Sequence, residues 1–496
     1  MKKQFLYLCM CALFVSSCSD ENSNLLDSDV APKLRVAGDG DVEVLGYGYD
    51  ITDDFLGETA TKMEVVDVKA FKKGKDGHRF SNPFVGIIRQ REFYGSTSEE
   101  YINEIIKSSN YKGSIAYQAT ASAETQSTPT NPVTSASFSG GVTKGSTSRY
   151  SYSSKYSFGR GDIIKKQRQY ILDRKPNELT DYLTTSFKED LVCLSADAIV
   201  LKYGTHVLLD ITVGGMYTAS YKSAIIATSS SFTKTKSVEA GIKLGFKGVG
   251  LDFSTSQTTS ETNAYNSNNT DWKCVIDCWG GSTNGVSTTI SATEAPKTTF
   301  NLGSWTQSVD DTHSKLVDVN WNATYPIYDF IVDATKKAQI KAAVERYIKS
   351  KQVKVLEILP LYKFYWNKGK NTHYVTSWND YMKYIQEGHE YEKIDGYIVK
   401  DGDSSMYPLH KFYWNSGKNT HYVTTEEEVI KYKKEGHQYE GIIGYIYKKQ
   451  ITETIPLHKF YWNSGKNTHY VTTEEEVIKY KKEGHQYEGI IGYIYK

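Results

Sequence analysis

Residues 203–215 read Tyr203-Gly204-Thr205-His206-Val207, then six residues, then Gly214-Gly215. The run from Ala198 to Tyr203 has helical composition. Gly204 follows where a helix C-terminus favours a residue free to take positive φ. Val207 to Val213 is β-branched and mostly apolar, so it predicts a strand. A glycine pair inside a strand marks a sharp bend or the close approach of another backbone. An ordinary helix, turn and buried strand, with His206 as a hydrogen-bonded core histidine, would satisfy the tetrapeptide alone. The glycine pair at a fixed distance asks for a more particular geometry.

Tyr203, Gly204, Thr205, His206, Gly214 and Gly215 together resemble the signature of the membrane attack complex/perforin (MACPF) family. Val207 departs from it, standing where that family usually has Phe or Tyr. The resemblance extends over about 300 residues, Leu45 to Tyr347, a length that one large sheet domain can hold. Leu45-Gly-Tyr-Gly-Tyr-Asp50 looks like the first strand of bacterial members. Trp305, Tyr325-Pro-Ile-Tyr-Asp-Phe330 and the lysine-bearing helix after it look like their C-terminal end. In that helix Ile340, Val344, Tyr347 and Ile348 share one face, which predicts packing against the sheet. The resemblance implies an α+β fold, like that of MACPF proteins and cholesterol-dependent cytolysins, with a bent antiparallel central sheet flanked by helices.

The N-terminus adds a separate constraint. Lys2-Lys3, an apolar run from Phe5 to Val15 and the small Ser16-Ser17 form a secretory signal over residues 1–17, too short to span a bilayer as a helix. Cys18 follows Val15-Ser16-Ser17 and resembles a bacterial lipobox cysteine, which implies lipidation; a conventional signal with an incidental cysteine is the competing possibility. Ser19-Asp20-Glu21 resembles the surface-export tag of Bacteroidetes lipoproteins, implying an outer-membrane lipoprotein displayed outward or released in vesicles. Acyl chains contribute about 0.8 kcal/mol per buried methylene, and more than one chain gives stable attachment. Residues 18–42 then serve as a linker, 43–352 as the MACPF domain and 358–496 as a repeat region.

Charge and cysteine content exclude other classes. Without the signal, 57 lysines and arginines face 58 aspartates and glutamates. No long basic run exists, so nucleic-acid binding has no support and general attraction to anionic lipid has little. Cys193, Cys274 and Cys278 besides Cys18 are too few for a disulfide scaffold. Cys274 and Cys278 are spaced for a bridge or as two structural thiols. No motif with catalytic spacing appears, so no enzyme, cofactor or metal site is expected.

After the signal there is no stretch of 18 or more apolar residues, so crossing a membrane would require strands from several copies closed into a barrel. The resemblance implies that two segments, helical in the soluble form, extend into hairpins; position nominates about 113–160 and about 228–272. In the second, Val238, Ala240, Ile242, Leu244 and Phe246 alternate with Glu239, Gly241, Lys243, Gly245 and Lys247, the length of one transmembrane strand. Beyond Gly248 the phase flips and Val249, Leu251 and Phe253 continue it, as a turn or bulge demands. The same stretch carries a helical stripe, Val238, Ile242, Phe246, Val249 and Phe253. Gly241, Gly245, Gly248 and Gly250 cost a helix up to roughly 1 kcal/mol apiece, which predicts a marginal or already extended soluble form. A plain amphipathic hairpin packed on the body of the protein is the alternative. The first segment is Ser-, Thr- and Gly-rich. Its alternations Ala136 to Val142 and Tyr150 to Phe158 read as strands.

From about Leu359 three units begin at Pro360, Pro408 and Pro456, and residues 408–448 are identical to 456–496. The units resemble Phe-Tyr, Gly, His-Tyr-Thr-Thr repeats appended to many secreted bacterial proteins. Each predicts a strand (His410 to Trp414), a turn (Asn415 to Asn419), a second strand (His421 to Thr424), a helix from Thr425 to Glu435 closed by Gly436, and a last strand (Gly441 to Tyr447). One copy cannot bury its apolar face alone. Three suggest a closed β-rich domain of pseudo-threefold, trefoil-like form. Trp366, Trp414 and Trp462 lie beside polar turns and suit glycan or receptor binding with avidity, or else belong to the core. The histidines at 373, 421, 469 and at 389, 437, 485 suit turn or hydrogen-bonding roles.

These readings converge on a pore-forming, perforin-like lipoprotein toxin acting on bacteria. Its partners would be the target-cell lipid membrane, other copies of itself in a ring, and an outer-membrane protein, lipopolysaccharide or glycan receptor. A surface adhesin of the same architecture that does not perforate is the alternative.

Overall fold

The computed structural model describes residues 44–496 apart from 54, 75–80, 110–132, 135–152, 226–229, 252–268, 354–355, 367–370, 415, 417 and 463–466. The signal and Cys18, the linker up to 43, Ala136 to Val142, Tyr150 and Tyr152, and Phe253 lie outside the described residues.

The central sheet is antiparallel, ordered β1 (Ser81–Gly95), β2 (Tyr156–Ile171), β3 (Asp210–Ile225), β4 (Asn269–Trp279) and β5 (Ser287–Ser291), with β6 (Lys315–Val319) also paired to β3. β2 accompanies β3 over its whole length, from Tyr156 opposite Ala224 to Ile171 opposite Asp210. The other side of β3 is shared. Met216 to Ile225 pair with β4, and Ile211 to Gly214 pair with β6.

The change of partner falls at Gly214-Gly215, where the sequence predicted an interruption. The strand runs through; what changes is its neighbour. Opposite the pair, β2 carries a register shift between Lys166 and Arg168, the added twist expected of a bulge. A Cβ on Gly214 would stand 1.9 Å from the Lys165 carbonyl oxygen, and one on Gly215 would stand 2.6 Å from the Trp305 ring. Both positions therefore exclude side chains. Trp305, on the helix Leu302–Ser308, is buried and anchored by its indole N–H to the Gly280 carbonyl at 3.1 Å.

Helix Ser98–Ser109 packs on β1 and β2, and four further helices shape the domain. They are α1 (Ala196–Tyr203), α2 (Ser231–Gly248), α3 (Leu302–Ser308) and α4 (Ala334–Ser350). Helix α1 ends as its sequence predicts, with Gly204 at φ +77°. A small second sheet, ordered Thr324–Pro326, His206–Leu208, Tyr47–Tyr49 and Thr61–Glu64, receives the chain after it. Helix α4 buries Ile340, Val344 and Ile348 as predicted. It packs chiefly on α1 and the turn Ile327–Phe330 rather than on the central sheet, and its Tyr347 hydroxyl donates to Asp50 Oδ2 at 2.6 Å.

Residues 358–495 form one nine-stranded sheet of three equivalent units. The second unit comprises strands Met406–Trp414, Asn419–Val423 and Gln438–Tyr447 with helix Glu426–Lys434 between the last two. Its first strand starts four residues earlier than the sequence suggests, because Met406 to Pro408 pair with Tyr447 to Tyr445. The third strands of all three units pair cyclically, through Val399 with Tyr445, Tyr447 with Tyr493 and Tyr397 with Tyr495. The domain is therefore closed.

Its axis is built from tyrosines. The Tyr374 N–H donates to the Tyr422 hydroxyl and the Tyr422 N–H to the Tyr470 hydroxyl, both at 2.7 Å. The hydroxyls donate in turn to the carbonyls of Tyr374 (3.1 Å, from Tyr422), Tyr422 (2.9 Å, from Tyr470) and Tyr470 (3.3 Å, from Tyr374). Each hydroxyl satisfies backbone groups of a neighbouring unit that would otherwise be buried without partners. The single Tyr374 hydroxyl proton is shared between the Tyr470 carbonyl and Asp395, the nearer acceptor, which only the first unit has; Ile443 and Ile491 stand at its place in the others. Asp395 is held by Lys393 (3.2 Å) and Lys363 (3.6 Å).

Candidate functional site

Helix α2 lies on the face of β2, β3 and β4. Ser230 caps it, its hydroxyl accepting from the Thr233 N–H at 3.3 Å. Outward, Glu239 bonds Lys236 at 2.8 Å and Lys243 at 2.7 Å, a small stabilisation of a few tenths of a kcal/mol per pair. Inward, Val238, Ala240, Ile242, Phe246 and, past the helix, Val249 and Leu251 are buried, while Leu244 is half-buried.

The glycines read from sequence as weaknesses are the contact. A Cβ on Gly241 would stand 2.4 Å from the Tyr221 ring, and one on Gly245 would stand 2.6 Å from Cys274 Sγ. From below, Gly159 of β2 leaves room for Val238 and Ile242, which a Cβ there would meet at 2.5 and 2.8 Å. The segment is therefore a docked helix. The expectation of an already extended form fails, since the intrinsic cost of glycine is offset by closer burial of a helix against a sheet.

Cys274 and Cys278 are both free thiols, Cys274 beneath α2 and Cys278 Sγ at 2.8 Å from Thr283 Oγ1. Burial pushes them up to about 12 and about 11, so neither is a reactive thiolate near neutral pH.

A charged knot lies across β1, β2 and β3. Asp162 is fully buried between Arg160 Nε and Arg91 Nη2, each at 2.8 Å, with the Thr218 hydroxyl donating at 3.0 Å. Burial raises its carboxyl, but the two guanidiniums outweigh that and hold it below the usual range. Arg160 continues to the Phe55 carbonyl at 2.8 Å, and Arg91 to Asp318 of β6 at 3.3 Å. Sequence reasoning missed this group, since its members are spread along more than 200 residues.

The signature residues are brought together as a structural joint. Tyr203 is buried, its ring 4.8 Å from Phe187 and its hydroxyl donating to Asp190 Oδ2 at 2.6 Å. The Thr205 hydroxyl donates to the Tyr49 carbonyl at 3.1 Å and accepts from the Ile51 N–H at 3.1 Å. Buried His206 contacts that hydroxyl through Nδ1 at 3.1 Å. Gly204 lies against Tyr49, where a Cβ would meet its carbonyl at 2.7 Å. The motif thus ties the end of α1 to the first strand of the domain.

In the repeats, Trp366, Trp414 and Trp462 are half-buried. Each packs one face near a histidine: His389 at 4.2 Å, His437 at 5.5 Å and His485 at 4.4 Å between ring centroids. Those histidines pack on Tyr384, Tyr432 and Tyr480. His373 and His421 link successive units, to Thr420 at 2.7 Å and Thr468 at 3.1 Å, and His469 returns to Thr372 at 3.5 Å. Burial, and then a neighbouring histidine, push all three down to about 3.

An antiparallel central sheet flanked by helices is the arrangement that the signature implied; the exchange of partners at the glycine pair and the glycine-faced helix are added by the structure. The MAC/Perforin domain family model matches residues 32–357. The chain belongs to the MAC/Perforin family. A second family, described only as a domain of unknown function (DUF5648), matches residues 356–495. Among curated proteins no match is found. Similar solved structures include a putative cell invasion protein with a MAC/Perforin domain from Bacteroides thetaiotaomicron, at 16% identity and TM-score 0.43, covering 68% of this chain and 67% of that one. Another is GNIP1Aa from Chromobacterium piscinae, at 12% identity and TM-score 0.41, covering 87% of each chain. Among the described residues of this perforin-like protein no helix is long and apolar enough to cross a membrane, which says nothing of strands.

Proposed function

We propose that this perforin-like protein is a lipid-anchored, pore-forming toxin acting on bacteria, with residues 358–496 docking it to a surface receptor or glycan. Cys18 supplies the anchor, and the outer membrane is the site of display or of release in vesicles. The observation that carries the reading is the double character of Val238 to Phe246. It is a helix with one apolar face on the sheet, yet its sequence alternates at strand period over the length of one membrane-crossing strand.

The sheet supports assembly of copies. Among the described residues β1 pairs only with β2, leaving the other edge of a 15-residue strand, while the far edge of β4 is covered by β5 over Lys273 to Asp277. Such an edge is a template for strand addition, and repeated head-to-tail addition closes a ring.

The test is dye release from vesicles of target-strain lipids with lipopolysaccharide, comparing the native chain with Val238→Asp and Ile242→Asp variants shown to fold by circular dichroism. Release should occur with the native chain and fall to background in the variants. Binding without release by the native chain would establish the adhesin reading instead.

A further inference from the structure

The repeat domain does not hang free of the perforin domain. Ile358, which opens its first strand, donates its N–H to Ser154 Oγ at 2.9 Å, and that hydroxyl donates to the Ile358 carbonyl at 3.3 Å. The Ser154 N–H donates to the Leu356 carbonyl at 3.1 Å. One step on, Lys155 Nζ lies 4.6 Å over the Tyr397 ring and donates to the Lys496 carbonyl at 3.3 Å. Tyr397, Tyr447 and Tyr495, from the cyclic third strands, belong to the same buried cluster as Tyr156, Phe158 and Ala224 of β2 and β3.

These contacts fall on one end of the central sheet. Tyr156 begins β2, Ile225 ends β3 and Asn269 begins β4. Both nominated insertion segments join the sheet at those three termini. The termini are also cross-tied: the Tyr156 hydroxyl donates to Asp271 Oδ2 at 2.9 Å, and Lys222 Nζ sits 3.7 Å over the Tyr156 ring. β3 and β4 slip register there, between Lys222 and Ala224.

We infer that the repeat domain is an autoinhibitory clamp: seated on the ends of β2, β3 and β4, it keeps these strands from lengthening into hairpins until it is moved. This rests on the pore reading for its consequence, though not for its geometry. The clamp is poised rather than permanent. Lys155 and Lys222 are brought close together in a largely buried place where Asp271 and Glu453 are the nearby carboxylates, and burial pushes Lys222 down to about 8. Enclosing two ammonium groups works against the apolar contact around them. A domain that docks on a receptor at its far face and on strand ends at its near face links recognition to release.

Two measurements on the full chain decide this. In Tyr397→Ala/Lys155→Met, amide exchange at 154–158, 222–225 and 269–273 should speed by about tenfold or more while Tyr422 and Tyr470 stay protected. Unchanged exchange at the strand ends overturns the clamp whether or not the protein lyses anything. In a Cys193→Ser background, a Ser154→Cys/Ile358→Cys disulfide should abolish dye release from phosphatidylethanolamine and phosphatidylglycerol vesicles bearing lipopolysaccharide, and reduction should restore it. Undiminished release through a verified disulfide also overturns the clamp. Faster exchange with no release by the native chain leaves the clamp standing and counts against the pore reading alone.

Discussion

Helix α2 on the central sheet and the tyrosine axis of the repeats are both closely packed, but they are held by different physics. α2 is seated by shape, with Gly241, Gly245 and Gly159 admitting Tyr221, Cys274, Val238 and Ile242. The repeat axis is seated by direction, through buried hydroxyl-to-backbone bonds passed from unit to unit. Shape contacts can be exchanged for others of the same apolar area, including lipid. Buried directional bonds cannot be given up without leaving donors and acceptors unpaired. The difference separates an element able to convert from a platform that must persist.

The contrast can be broken most forcefully at the knot on the face of the central sheet opposite α2. Asp162→Asn leaves buried Arg160 without a carboxylate and Arg91 with Asp318 alone, and should cost about 3–5 kcal/mol, measured by denaturant unfolding of the perforin domain. The carboxyl is held low in the fold, so its contribution is complete above the ordinary aspartate pKa and lost as pH falls through the lower, folded value. Next in size, Tyr422→Phe removes a hydroxyl that serves two backbone groups of Tyr374 and should cost about 2 kcal/mol in repeat-domain stability. Gly241→Val, which drives a side chain into Tyr221, should cost about 1–3 kcal/mol and leave the repeats unchanged. If Tyr422→Phe is neutral while Gly241→Val is severe, shape governs both regions and the distinction disappears.

Acid sharpens it further. His373, His421 and His469 are neutral in the fold at about 3, below the ordinary histidine value near 6.5. The unfolded chain therefore binds more protons, and repeat stability should decline steadily as pH drops from about 6.5 toward about 3. Tyrosine fluorescence between pH 7 and 4 would show it, and replacing the three histidines by glutamine would make the profile shallower, with His389, His410, His437, His458 and His485, also pushed down by burial, supplying the remainder. The smallest effect belongs to the outer face of α2, where Glu239→Gln should cost only about 0.3–0.5 kcal/mol per lost pair, within the scatter of thermal melts.

Much of this was legible from local chemistry. The helix end at Gly204, the strand after it, the apolar face of α4 and the strand, helix and glycine order of each repeat follow from propensity and period. The exchange of partners at Gly214-Gly215 was visible only as a generic bend, because its cause is the arrival of β4 and β6 from residues 269–319. The state of α2 was undecided for a similar reason. Val238 to Phe246 fits both periods, and Tyr221 and Cys274, which reward the glycines, lie on other strands. The packing of α4 on α1 instead of the sheet involves partners about 140 residues earlier in the chain, which the period of α4 alone does not name. Trp366, Trp414 and Trp462 drew attention by residue type, whereas the tyrosines of the axis looked like ordinary strand residues.

Asp395 has one further consequence. Units two and three are identical from Pro408 and Pro456 onward and differ in their first strands only at Met406-Tyr407 against Thr454-Ile455, so during folding a hairpin of either could dock in the seat of the other at little energetic penalty. Exchange with the first unit is different: Asp395 and Lys393 travel together on one strand, and Ile443 or Ile491 in that seat would deprive the Tyr374 hydroxyl of its carboxylate partner. One off-pattern residue thus acts as a key against mis-threading, giving an otherwise rotationally degenerate ring a fixed starting point.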